Sequence, residues 1–163
     1  MELKFCGDLI LREVCVPVAD IAGLRCELDG MLAIMNAEQG VGLAAPQVGI
    51  LQRFFIMQNP DTKELWVVIN PKILELDAET KIMEEGCLSV QDDAGPVYAD
   101  VSRPRSIIAE WLDETGASRN KKLDGLAARI FQHEYDHLDG KLFIDYLSSV
   151  KREQIMRKTK KKK

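Results

Sequence analysis

Residues 124–140 read DGLAARIFQHEYDHLDG, and the reading of this stretch decides the fold. Asp124 suits a helix N-cap and Gly140 a helix stop, so the pattern predicts a helix through GLAARIFQHEYDHL between them. Residues three and four apart share a helix face, so His133 and His137 point the same way, with Glu134 at the edge of that face and Ile130 one turn earlier. H-E-x-x-H on a helix is a zinc-hydrolase pattern in which two imidazoles bind the metal and the glutamate handles the proton of a water. These are the only two histidines in the chain, so any further ligand is of another kind.

Two completions of the motif fail on reading downstream. The extended form H-E-x-x-H-x-x-G-x-x-H keeps its glycine at Gly140 but has Phe143 where the third histidine belongs. A glutamate from a later helix, the thermolysin-like arrangement, has only the short segment around Glu153 to come from. The third ligand therefore lies upstream. EEGCLS places Cys87 after Gly86, where a glycine lets the backbone press close to a metal or ligand. Cys plus two His leaves a tetrahedral position open for water, as a catalytic site requires, but spacing alone does not choose Cys87 over an aspartate.

Around this helix the chain reads as one α+β domain. With 163 residues it is long enough to bury roughly 70% of its unfolded surface. Leu24, Leu28, Met31, Leu32 and Met35 mark one face of an earlier helix ending near Gly40. RFFIM, LWVVI (stopped by Asn70-Pro71), SIIAEWLD and, after the turn DETGAS, RNKKL read as strands, the last two as a hairpin. A third helix starts near Ser148 or Ser149. The expected architecture is mostly antiparallel sheets packed around the His-bearing helix, with a C-terminal helix.

Composition excludes several classes. No apolar run reaches the roughly 18 residues of a membrane span, and the charged start MELKFCGDLILREV does not read as a signal peptide, so a cytoplasmic protein is expected. The four cysteines form no CxxC pair. Net charge is −4, which excludes a generally basic nucleic-acid binder, and no DNA partner is expected. The charge is uneven: the last thirteen residues, KREQIMRKTKKKK, hold eight Lys or Arg against one Glu. The domain division is thus a catalytic body over 1–150 and a basic tail over 151–163, partly helical or disordered. GVGLAAPQVG, residues 40–49, fits G-x-G-x-x-A, but it follows a helix, and Pro46 obstructs the helix a dinucleotide site needs. As an extended segment it offers backbone groups that another chain can approach.

Taken in order, GVGLAAPQVG, EGCLS and HEYDHLDG resemble the three signature motifs of peptide deformylases, and the resemblance extends to LWVVINPKI, DGLAARIFQHE and KLFIDYLS. It implies removal of the formyl group from the N-terminal formylmethionine of new polypeptides by attack of metal-bound hydroxide. It implies Cys87, His133 and His137 as metal ligands and Glu134 as general acid and base. Gln47 and the backbone N–H of Leu88 would serve as donors to the oxyanion. Val41, Gly42 and Gly86 would line the substrate cleft, with Ile130 a candidate wall of the methionine pocket. Fe²⁺ is the implied ion, with Zn²⁺ or Ni²⁺ able to replace it, and Glu85 and Arg103 are the implied ion pair beside the cleft. The basic tail fits a polyanionic partner, the ribosome that delivers the substrate. Two departures stand out: Gln91 replaces a proline, and DDAGPV lengthens the loop before Tyr98 by about four residues. The alternatives are an H-E-x-x-H endopeptidase, a non-catalytic ribosome-associated protein of this scaffold, and a structural zinc site with four protein ligands.

Overall fold

Alternation along the strands sets the layers of the fold. The computed structural model describes residues 1–159, with β1 (Gly42–Ala44), β2 (Phe54–Gln58), β3 (Leu65–Leu76), β4 (Thr80–Asp92), β5 (Gly95–Pro104), β6 (Ser106–Leu112) and β7 (Ser118–Asp124) in chain order. Its helices are α1 (Arg25–Ala37), α2 (Gly125–Leu138) and α3 (Ser149–Thr159). Five strands form an antiparallel sheet in the order β1-β2-β3-β6-β7, and β4 pairs with β5 in a second sheet. In β2, Phe55 and Met57 pack with Phe131 and Ile130 of α2, whereas Phe54 and Ile56 pack with Met31 and Met35 of α1. Both faces of the sheet are therefore covered, which is why four successive apolar residues are all buried. The α+β architecture expected from the sequence is the one observed.

Eleven of the fourteen residues of α2 are buried, so this helix is the centre of the molecule and not a surface element. Phe131 makes an edge-to-face contact with Phe55 at 5.1 Å and lies 5.6 Å from Trp111. Burying such a side chain contributes about 1.5–3 kcal/mol. A third apolar cluster joins Cys87, Val90, Ala99 and Val101 of the β4–β5 sheet to Leu142, Phe143 and Ile144, and to Ile155 of α3. Among the described residues no helix is long and apolar enough to cross a membrane. Lys160–Lys163, the end of the basic tail, lie outside the described residues.

Several local expectations need correction. Asn70-Pro71 does not stop β3, which runs on to Leu76 through an irregularity between Ile69 and Lys72. Asn70 takes φ +49°, accepts from Val18 N–H at 2.8 Å and donates to Val18 O at 2.9 Å, so a bulge is pinned there and the missing N–H of Pro71 costs no ladder bond. Asp124 stands at the N-cap of α2, yet its side chain makes no capping hydrogen bond. The lengthened stretch before Tyr98 is no open loop: Gln91 pairs with Pro96 and Asp92 with Gly95, closing a hairpin.

At the end of α2, Gly140 takes φ +69°, and a Cβ there would meet Arg12 O at 2.5 Å. Gly140→Ala is expected to destabilise the protein by about 1–3 kcal/mol, read as a lowered denaturation midpoint with an unchanged slope.

Candidate metal centre

Three donor atoms converge between α2 and the β4–β5 sheet. The β4–β5 ladder is interrupted between Gly86 and Gln91, which frees residues 87–90 from pairing and lets Cys87 turn toward the helix. One donor atom each from Cys87, His133 and His137 lies within 4.8 Å of the others, and all three residues are buried. Cys87 Sγ is 3.3 Å from His137 Nε2. His133 Nδ1 is 3.0 Å from Glu85 Oε2, a contact that fixes the ring and leaves Nε2 for the cluster.

Burial, with His133 alongside, holds His137 well below the ordinary imidazole range, so the lone pair of one ring nitrogen is available. Burial acts on His133 in the same sense, but Cys87 and the Glu85 carboxylate outweigh it and carry His133 up to about 10. Burial raises the Glu134 carboxyl to about 7. Glu134 Oε2 and His137 Nδ1 are buried without a hydrogen-bond partner. Sulfur and imidazole donors that attract positive charge, beside an unpartnered carboxylate oxygen, fit a divalent ion and a water.

Gln47 reaches the cluster from the 3₁₀ turn Ala45–Val48 that follows β1. Ala44 N–H donates to its Oε1 at 2.8 Å, which fixes the amide orientation. Nε2 therefore donates to Ser89 Oγ at 3.1 Å and approaches Cys87 Sγ at 3.5 Å. On the other side, a Cβ on Gly42 would lie 2.4 Å from Glu134 Oε1 and 3.0 Å from its Cγ, so only glycine leaves room for that side chain.

A cleft of about 280 Å³ opens over these groups, lined by Val41, Gly42, Gly86, Leu88, Tyr98 and Ile130 among others. β1 is one of the two edge strands of its sheet, which ends in β1 and β7. Val41 C=O is taken by Gln58 N–H at 2.8 Å, so by antiparallel alternation Gly42 and not Val41 turns its backbone groups to the open side. The role of Gly86 also differs from close approach to a metal. A Cβ there would meet the Tyr98 ring at 2.4 Å, so the glycine makes room for a wall of the cleft.

A family model for polypeptide deformylase matches residues 2–153. The chain belongs to this family. The peptide deformylase of Rhizobium meliloti (strain 1021) is 41% identical over 155 residues, which cover 93% of this chain and 87% of the relative. That of Thermotoga maritima is 41% identical over 152 residues, covering 93% of this chain and 89% of the relative. The crystal structure of the Ehrlichia chaffeensis peptide deformylase in complex with actinonin superposes with a TM-score of 0.93 at 34% identity, covering 100% of this chain and 97% of the other.

Every site residue named from the deformylase motifs lies at this cluster or its cleft. The Glu85–Arg103 pair is present and bidentate, at 2.7 and 3.0 Å. Ile130 belongs both to the cleft wall and to the core beneath it. Sequence reasoning missed Ser89, Asp136 and Arg129. Asp136 accepts from Arg103 at 2.6 Å, and Arg129 donates to Glu85 at 2.7 Å. A signal existed for Arg129: it is a charged residue one turn before His133 in the otherwise apolar run AARIF.

The donor set predicts one divalent ion per chain. Cys87→Ala and His133→Ala are expected to lose it, and Glu134→Ala to retain it, as measured by elemental analysis of protein purified without oxygen. Full occupancy of the Cys87→Ala protein would remove Cys87 from the ligand set.

Proposed function

We propose that this chain removes the formyl group from the N-terminal formylmethionine of newly made polypeptides, in the cytoplasm, and releases formate. The observation that carries this reading is the meeting of Cys87, His133, His137, Glu134 and Gln47 at one cleft, beside an unpaired strand edge, in a member of the polypeptide deformylase family. An endopeptidase holding a chain on both sides of the scissile bond has no specific observation in its favour.

Cys87, His133 and His137 would hold the ion, Fe²⁺ by family resemblance, with Zn²⁺ or Ni²⁺ able to take its place since thiolate and imidazole suit all three. When bound, a divalent ion supplies a Lewis acid and can lower the pKa of a water from about 15.7 to about 7. The peptide lies along β1 as an added strand, bonded through Gly42 and therefore held without its side chains being read, while Ile130 bounds the methionine pocket. Glu134, with its carboxyl near neutrality, takes a proton from the attacking water and returns it to the departing amine. Negative charge developing on the formyl oxygen is met by Gln47 Nε2, whose amide is held by the Ala44 N–H before substrate arrives, and by the Leu88 N–H. Gly42 couples the two halves of the site, since the residue that faces the peptide also makes room for the Glu134 side chain.

Residues 1–150 form the catalytic domain in this reading, and 151–163 are a basic tail that holds the enzyme near ribosomal RNA. Ile155 and Thr159 are buried, and Ile155 shares a cluster with Cys87, so removing the tail would disturb the site as well as its charge. Charge substitutions on the exposed residues Lys151, Arg152 and Lys158 are the cleaner variation.

Formate release from a formyl-Met peptide, with no cleavage of internal peptide bonds, is the direct test. Glu134→Ala and Gly42→Ala are expected to keep the metal and lose turnover, and Gln47→Leu to slow turnover by about 10²-fold or more with little change in KM. Near-normal rates in any one of these would withdraw its assigned role. Lys151→Gln, Arg152→Gln and Lys158→Gln together are expected to weaken ribosome co-sedimentation at low salt and leave short-peptide hydrolysis unchanged. Co-sedimentation insensitive to both the substitutions and the salt would reject the ribosome contact.

A further inference from the structure

Arg129 has no part in the reaction as described, yet it is buried and touches the carboxylate that orients His133. Glu85 accepts four hydrogen bonds, which is all that two carboxylate oxygens readily hold. Its Oε1 receives Arg103 Nε and Arg129 Nη1, each at 2.7 Å, and its Oε2 receives Arg103 Nη2 and His133 Nδ1, each at 3.0 Å. Arg103 also donates to Asp136 at 2.6 Å. Glu85 and Asp136 therefore face Arg103 and Arg129, two negative charges against two positive. Without Arg129 a net negative charge would remain buried against His133 Nδ1.

A carboxylate on the outer nitrogen of a ligating histidine raises the basicity of that ligand, and more so when the carboxylate is not otherwise neutralised. A more basic imidazole binds an ion more tightly and leaves it a weaker Lewis acid. We infer that Arg129 is a positioning residue that, by sharing Glu85 with His133, lowers the donor strength of His133 and so trades metal affinity for reactivity of the bound ion. The inference rests on the reading of Cys87, His133 and His137 as metal ligands. A purely mechanical role makes the opposite prediction. Arg129 also donates to Val101 O at 2.9 Å and to Lys81 O, bracing both strands of the β4–β5 sheet against α2. Loss of a brace loosens the site and weakens metal binding; loss of a neutralising charge strengthens it.

The sign of the change in metal affinity decides between them. Zn²⁺ affinity is measured on the full chain by competition with a chromophoric chelator, alongside kcat and KM for a formyl-Met peptide and the visible absorption of the Co²⁺-loaded protein. Arg129→Gln, which keeps a side-chain donor but no charge, is expected to bind Zn²⁺ about tenfold more tightly, with lower kcat and a shifted Co²⁺ band. Arg129→Lys, which keeps the charge, is expected to stay within about threefold of the parent in affinity and kcat. Equal or weaker Zn²⁺ binding by Arg129→Gln overturns the inference. If that variant does not fold, an Arg129→Lys protein that loses metal affinity overturns it instead. A parent chain that binds no Zn²⁺ would instead overturn the ligand assignment itself, so the two failures are distinct.

Discussion

Glu85 stands on β4 with two guanidinium groups and an imidazole around its carboxylate, and through them it ties β5, α2 and the metal cluster into one geometry. Removing one partner from such a buried group typically costs about 3–5 kcal/mol, whereas replacing the whole set by apolar side chains is often neutral. The network therefore fixes position more than it adds stability. Burial opposes the charge on Glu85, but His133 and Arg103 prevail and hold its carboxyl at about 2, against an ordinary 4.5. Its contribution to folding is then complete above the ordinary value and is lost as the pH falls toward 2. At neutral pH the group is permanently charged, so it can orient His133 without exchanging protons with it.

Around that fixed point each layer has one duty. The five-stranded sheet covers one face of α2 with Phe55, Trp111 and other apolar side chains, which leaves the faces bearing His133, His137 and Glu134 for the β4–β5 sheet and the cleft. The Tyr146 ring stacks on Arg103 at 4.6 Å and covers the ion pair on the side away from the cleft. Protection of the network thus depends on the chain just after α2, and the same segment leads into α3, whose Ile155 packs behind Cys87.

The sequence displayed α2 and its chemistry openly, because helical spacing places His133, Glu134 and His137 together and the flanking Asp124 and Gly140 mark the ends. It displayed β2 and β6 for a similar reason, since their apolar residues alternate or run unbroken. The β4–β5 sheet was not legible: Lys81, Glu84, Glu85, Asp100 and Arg103 interrupt any apolar rhythm, and two of these charges are buried because they pair with each other. Asn70-Pro71 reads locally as a break and becomes a bulge only because Val18, fifty-two residues away, supplies both partners of the Asn70 amide. Gly86 and Gly42 look alike in sequence as places of close approach. What approaches them, a Tyr98 ring and a Glu134 carboxylate, is decided by elements distant in the chain. Cys87 could be named only through likeness to a family, because nothing in its spacing specifies a bend in β4.

β1 is three residues long, and its first residue, Gly42, turns its backbone outward. Each backbone hydrogen bond contributes only about 0.5–1.5 kcal/mol net, so an edge this short grips an extended chain briefly. Brevity suits an enzyme whose clients share a first residue and little else. Dwell time then depends strongly on the reacting group, which changes from an amide to an amine once the formyl group leaves, so the product meets a surface that has little left to hold.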